Sequence, residues 1–256
     1  MSLTRLALRF AARAPQVESF DRYLFVGPHP DDIEIGAGAT AAKLAAVGKQ
    51  VCFLICTDGR YGLEHAPQNT TPEALIELRR AEAIASAKAL GVEDVRFLDF
   101  SDGGFYDFEA LVKAMAKVVG DVKPEMILAP EPDVISECHV DHRRVGEAAK
   151  RLVFFAPFPE IMARFSAEPA AVKTLAFYMT ARPNRFVKIR GLLKPQLDAI
   201  LCHRTQFSPD SEAFQSVAMY LKLRAADFGL RSFKGQAEGF RVLDQTHMHC
   251  LPEAGL

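Results

Sequence analysis

Two short stretches of this 256-residue chain concentrate the side chains that can hold a metal or move a proton. The first is His29-Pro30-Asp31-Asp32, with Glu34 close behind, so that an imidazole and several carboxylates leave the chain almost together. The second is Glu137-Cys138-His139-Val140-Asp141-His142, in which two imidazoles stand three apart with a carboxylate between them. Adjacent aspartates repel in a low dielectric, so a cation, or a division of labour between ligand and base, relieves the first cluster. Imidazole with carboxylate is a nitrogen and oxygen donor set that suits zinc.

Each stretch follows an apolar run that reads as a buried strand, 23–27 before the first and 126–130 before the second. In an open α/β sheet, ligands collect beyond the carboxyl ends of the strands, which is where both clusters fall. Further strands are predicted at 50–57 and 95–100, and helices at 38–47, 72–90, 108–119 and 141–152. In the 72–90 helix, Glu73, Glu77 and Glu82 precede Lys88, an order that complements the helix dipole, and Gly91 ends it. Beyond 152 the pattern is less regular, with strands at 172–179 and 186–189 and a helix at 193–202 carrying His203 at its end. The alternation predicts a parallel sheet with covering helices. One domain spanning 1–256 is expected, with an N-terminal extension at 1–20 and a tail at 246–256.

About half of the residues are apolar, enough for a sizeable core. The formal net charge of −1 argues against a nucleic-acid binder driven by phosphate neutralisation, and no apolar run is long enough to span a membrane. Five cysteines are an odd number in a chain too large to need staples, so they read as reduced thiols of a cytoplasmic protein, with Cys52 and Cys56 in the core. Arg5, Arg9 and Arg13 in an acid-free start faintly suggest a transit peptide, but an ordinary surface segment is the expectation.

The two motifs resemble the signatures of the LmbE-like, or PIG-L, family of zinc-dependent N-acetyl-sugar deacetylases. The likeness extends over roughly residues 20–245: a helix bearing Arg79, the turn Asp102-Gly103-Gly104, then the weaker features Pro183-Asn184, His203-Arg204-Thr205-Gln206 and Ala237-Glu238-Gly239-Phe240. The resemblance implies a Rossmann-like three-layer α/β sandwich with a mostly parallel sheet. It implies that His29, Asp32 and His142 bind Zn2+, with another divalent metal as the variant. Asp31 would be the general base. A protonated His139 would face the oxyanion, its ring oriented and made more basic by Asp141. Arg79 would hydrogen-bond sugar hydroxyls, with Glu82 as its intrahelical partner. Two departures stand out: Ala39 replaces a second glycine, and Glu137 occupies the place where some sugar-thiol pathway members carry a tyrosine.

Other residues are read from position alone. Asp102 either grips hydroxyls or makes its turn, and Arg60 and Tyr61 follow a strand at a place suited to substrate contact. Glu34 secures loop donors or is an early helix acid; His203 caps a helix end, or packs with Gln206 as a lid; His247 and His249 read as a solvated tail. The aromatic stretch 153–165 is expected either to lid the site or to form a subunit contact, which leaves a homo-oligomer open.

The leading function is removal of the acetyl group from an N-acetylglucosamine-type amino sugar or conjugate, the partner being a small molecule. The alternatives are a zinc amidohydrolase acting on another small amide, a regulator that kept the fold without turnover, and a nucleotide-binding Rossmann protein suggested by Gly36-Ala37-Gly38. In the last case Asp31, Asp32 and Glu34 would crowd a pyrophosphate with like charge.

Overall fold

Alternation along the first strand sends Tyr23 and Phe25 to one face of a sheet and Leu24 and Val26 to the other, and all four are fully buried. A strand apolar on both faces must be covered on both, which is the condition for a central parallel strand. The computed structural model of the chain describes residues 11–63, 66–249 and 251. In chain order these form β1 (Arg22–Gly27), α1 (Asp32–Ala46), β2 (Gln50–Thr57), α2 (Pro72–Ala89), β3 (Asp94–Phe100), α3 (Phe108–Val122), β4 (Met126–Pro130) and α4 (Val140–Phe155). The remainder is α5 (Pro159–Arg164), β5 (Thr174–Tyr178), β6 (Arg185–Lys188), α6 (Leu193–Ile200), α7 (Glu212–Ser232), β7 (Ala237–Asp244) and α8 (Gln245–His249).

The described residues build a seven-stranded sheet in the order β3-β2-β1-β4-β5-β7-β6. The first five strands of the chain pair in parallel, and β7 runs antiparallel to both β5 and β6. Helices α3 and α4 cover one face, where Cys52 and Cys56 lie in the core as expected. Helix α1 covers the other, with Phe53 and Tyr178 beneath it. The mostly parallel three-layer α/β architecture is as the sequence implies. Between β1 and β4 the strand order reverses, so the loops after these two strands open on one crevice, the usual ligand position in such sheets.

Several expectations are corrected. Helix α1 begins at Asp32 rather than at 38, and breaks at Ala37, whose φ is −153°. Gly36 is required by close packing: a β-carbon there would come 2.2 Å from the Tyr178 ring, so the Gly36-Ala37-Gly38 stretch seats a helix on an aromatic. The aromatic stretch 153–165 cannot lid the site, because Phe155 lies thirteen residues along α4 from His142, about 20 Å at 1.5 Å per residue. His247 is not solvated: its side chain is 6% exposed and its ring joins Asp244 and the carbonyl of Ala12. The irregular C-terminal third in fact contains the longest helix, α7, and β7. Ala14, Val17 and Phe20 of the expected N-terminal extension lie in the core; residues 1–10, with Arg5 and Arg9, fall outside the described residues. Among the described residues no helix is long and apolar enough to cross a membrane.

Candidate metal centre

At the end of β1 the chain turns sharply, and Asp31 takes a φ of +115°, a conformation costly for a residue with a β-carbon. Although it stands at the N-cap position of α1, its side chain makes no capping bond. It is turned instead onto Arg79, whose Nη2 donates to Asp31 Oδ2 at 3.1 Å. Asp32 then faces the crevice: one oxygen accepts from the His29 backbone N–H at 2.8 Å and lies 3.0 Å from His29 Nδ1, while the other lies 3.3 Å from His142 Nε2. The strained turn thus presents two neighbouring carboxylates to different partners.

The second stretch arrives on the first turn of α4. His139 occupies the N-cap, its Nδ1 accepting the Asp141 N–H at 3.3 Å, so the ring hydrogen is assigned to Nε2. His142 Nδ1 lies 3.0 Å from Glu137, whose other oxygen accepts the His139 N–H; this leaves His142 Nε2 turned to the crevice. The imidazoles of His29, His139 and His142 each offer a nitrogen within 4.8 Å of the others, and Asp32 touches two of them. Positions 110 residues apart in sequence meet here because β1 and β4 are neighbours. The donor set is one that can hold a divalent ion, and the His139 ring is as close to it as the two histidines that the sequence singled out.

Asp141 is corrected as the partner of His139. Its carboxylate is fully buried, lies 3.2 Å from His29 Nε2 and accepts the backbone N–H groups of Gly103 and Gly104 at 2.7 and 2.9 Å, whereas His139 Nδ1 is 3.7 Å away. Both glycines have φ near +80°, which turns their N–H groups onto one acceptor. An outer carboxylate that fixes one nitrogen of a histidine leaves the other to a ligand, and here that histidine is His29.

The charges follow this wiring. Burial lowers the basicity of His29, but its hydrogen bonds to Asp141 and Asp32 outweigh it and carry its pKa up to about 10. His142 is raised too, Asp32 overcoming the effect of burial. His139 goes the other way: burial and the neighbouring His29 and His142 lower it, outweighing the rise that the Asp141 and Asp32 charges give. Burial raises Asp31, against the pull of Arg79 and with the help of the Asp32 charge, to about 6. Asp32, although buried, is held well below the usual carboxylate range by His142 and His29. Asp141 is likewise held down, to about 2, where its bonds to His29 and the glycine turn overcome burial.

Arg79, expected at the sugar, is 4% exposed and donates to the carbonyls of Gly59 and Pro30 as well as to Asp31. In this geometry it braces the strained turn from behind. Glu82 does not pair with Arg79 but holds Thr205 through its N–H and hydroxyl. Asp102 is buried beside the glycine turn and accepts from the Tyr61 N–H at 3.4 Å. Arg60, partly exposed, is clamped by Asp58. Glu34, an acid in the first turn of α1, and His203 are both buried and face each other at 3.2 Å. Gln206 donates to the carbonyl of Gly62.

Sequence reading missed the part of Glu137, noted only as a departure, and the part of Glu238, which accepts from Ala39, Thr40 and Gln196 where α1 breaks. The first had a signal, a carboxylate two residues before His139. The second lay in the weak feature Ala237-Glu238-Gly239-Phe240, which did not show what Glu238 holds, since the break in α1 appears only once Gly36 meets Tyr178.

Comparison with known proteins agrees with this geometry. Residues 24–153 match the family PIG-L, described as GlcNAc-PI de-N-acetylase. The diacetylchitobiose deacetylase of Thermococcus kodakarensis is 32% identical over 238 residues, covering 91% of this chain and 87% of that protein. A 1D-myo-inositol 2-acetamido-2-deoxy-alpha-D-glucopyranoside deacetylase of Kineococcus radiotolerans is 35% identical over 53% of this chain and 45% of its own length. Among solved structures, the N,N'-diacetylchitobiose deacetylase of Pyrococcus horikoshii superimposes with a TM-score of 0.84 at 30% identity, covering 98% of this chain and 93% of that one. The match spans both metal-site motifs and the strands that bring them together, and on it the chain belongs to the PIG-L family.

Proposed function

We propose that this chain is a metal-dependent hydrolase that removes the acetyl group from an N-acetylglucosamine-type amino sugar or conjugate. The observation that carries the reading is the separation of Asp31 from Asp32: one carboxylate lies between two imidazoles, the other is held aside by Arg79. The related enzymes named above support the substrate class. In this reading His29, Asp32 and His142 hold the ion, with Asp141 fixing His29 and Glu137 fixing His142. Zinc, bound there, supplies a Lewis acid for the amide carbonyl and acidifies a water.

The protein's own groups do the rest. Asp31, pushed up to about 6, is poised to take a proton from the attacking water and return it to the departing amine nitrogen. Its φ of +115° and the Arg79 contact keep it off the ligand set. His139, neutral and carrying its hydrogen on Nε2, donates toward the oxygen on which negative charge develops. Asp102 accepts a sugar hydroxyl and Arg60 donates at the mouth, while Arg79 acts through Asp31. The test pairs metal analysis with amine release from N-acetylglucosamine, for wild type and His29→Ala. Stoichiometric metal and amine release are expected for the wild type, and both should be lost in the variant. A wild type that binds metal yet releases no amine from any acetylated sugar would favour the non-catalytic alternative.

A further inference from the structure

We propose that the outer face of α7 is a pairing surface for the α7 of a second copy of this chain, the two helices running parallel about a two-fold axis. Helix α7 carries two apolar rows. The inner one, Ala218, Leu221, Ala225 and Phe228, is buried, and through it the helix packs on β7 and β6. The outer one is Met219, Leu223, Ala226 and Leu230, and its three large side chains are 58%, 64% and 76% exposed. Phe233 follows at the C-cap, 97% exposed and with a φ of +57°, a conformation that costs a bulky residue free energy. With Tyr220, α7 and its cap hold five of the fourteen large apolar side chains that the described residues expose. Scattered singly such residues are ordinary, but a row along one helix marks a surface.

The spacing of the outer row says what kind of surface it is. From Met219 to Phe233 the steps are four, three, four and three residues, the repeat on which two helices interlock. A helix that only covers a sheet needs one apolar row, and the inner row already supplies it. Ala226, small and in the middle of the outer row, lets two axes approach closely there.

The flanking charges select the occupant and its direction. With Leu223 and Leu230 at a and Met219 and Ala226 at d of the heptad, Lys222 stands at g and Asp227 at the following e. In a parallel pair each g side chain lies against the next e of the other helix, so Lys222 of each copy meets Asp227 of the other, twice by symmetry. The other such pairs, Gln215 with Tyr220 and Gly229 with Lys234, bring no like charges together. Antiparallel pairing about a two-fold axis would instead set Lys222 on the same flank as its own copy, and Asp227 likewise. Both residues are available: among the described residues Lys222 has no partner, and Asp227 uses only Oδ2, 3.3 Å from Arg231. The face therefore complements itself, as a two-fold contact requires and a foreign partner does not.

The test is sedimentation equilibrium of the full chain across about 1–100 µM, where contacts of modest area associate. The wild type should contain an even number of chains. Leu223→Asp, at an exposed position outside the core, should contain half that number. Lys222→Glu should weaken association about tenfold, because two attractive flanking pairs become repulsive. Lys222→Glu combined with Asp227→Lys should recover the wild-type affinity. The charge reversal and its recovery decide the matter even if Leu223→Asp folds poorly, since both positions are exposed. A monomeric or odd-numbered wild type, a mass unchanged in a folded Leu223→Asp, or a double swap that fails to recover association would each overturn the proposal. The readout is mass alone, so it stands or falls apart from the hydrolase reading.

Discussion

The chain divides at Phe155 into a front that supplies the candidate site and a rear that props it. Among the described residues, the clustered histidines and the carboxylates that touch them, Asp32, Asp141 and Glu137, all come from residues 22–155. The described residues 159–249 contribute none of these groups, yet three acidic side chains at the interface between the halves find donors across it. Glu34 faces His203, Glu82 holds Thr205, and Glu238 from the rear accepts the N–H groups of Ala39 and Thr40 at the break in α1. The difference teaches that α1, which starts at the strained turn of Asp31, is held along its length by packing from the rear, since buried polar groups cost least when each has a partner. Substitutions in front should therefore strike chemistry, and substitutions behind should strike stability.

The largest expected effect is in front. Asp31→Asn keeps the size of the side chain and its contact with Arg79 but removes the basic oxygen, so kcat should fall by about 10²- to 10⁴-fold, the usual worth of a general base. Metal content, measured alongside, should stay at the wild-type value, because Asp31 lies outside the proposed ligand set. A variant that lost metal in step with activity would show that both adjacent aspartates serve the ion. The division between ligand and base would then fail.

Next comes the rear. Glu34→Ala removes the partner of His203 Nε2, and His203 Nδ1 already lacks one, so an imidazole would be left buried with neither nitrogen satisfied. The newly unpartnered nitrogen costs about 1–3 kcal/mol, read as a lowered denaturant midpoint at unchanged m-value. Stoichiometric metal binding at low temperature should persist. If instead the metal were lost while the midpoint held, the rear would belong to the site and the comparison would collapse.

The same division explains what the sequence made legible. In front, strands apolar on both faces, glycine stops and clustered histidines are local signals, and β1 to β4 and their helices fall within a few residues of expectation, apart from the start of α1. That exception is instructive, because the glycines at 36 and 38 set the expected start at 38, while Tyr178 and Gln196, the groups they pack against, are far away in sequence. The clustering of imidazoles and carboxylates around His29, Asp32 and His142 was visible in the sequence, but the wiring was not. Asp141 lies two residues from His139 and 112 from His29, and it is the distant ring that it holds. Arg79 read as a sugar contact because nothing nearby in sequence shows that Gly59, Pro30 and Asp31 converge on it. In the rear, α7 exposes Met219, Leu223 and Leu230 among its charges, which blurs the amphipathic pattern that would have announced a helix.

The finest test of the rear is its pH dependence. Burial raises the Glu238 carboxyl from the usual glutamate range to about 7, against the four donors from Thr40, Ala39 and Gln196 that favour the charged form. A carboxyl whose pKa is higher in the folded state than in the unfolded one binds more protons when folded, so its contribution is fully present below about pH 4.5 and is lost as pH rises through 7. The shift amounts to on the order of 2 kcal/mol after discounting for partial solvent contact. In Glu238→Gln the group no longer titrates, and its amide oxygen can still accept from the Ala39 and Thr40 N–H groups. Thermal unfolding of wild type and variant should therefore diverge in slope between pH 5 and 8, the variant losing less stability as pH rises. Parallel slopes would mean that Glu238 stays ionised throughout, held by its donors, and that the rear braces α1 with a permanent charge rather than with a carboxyl that changes state near neutrality.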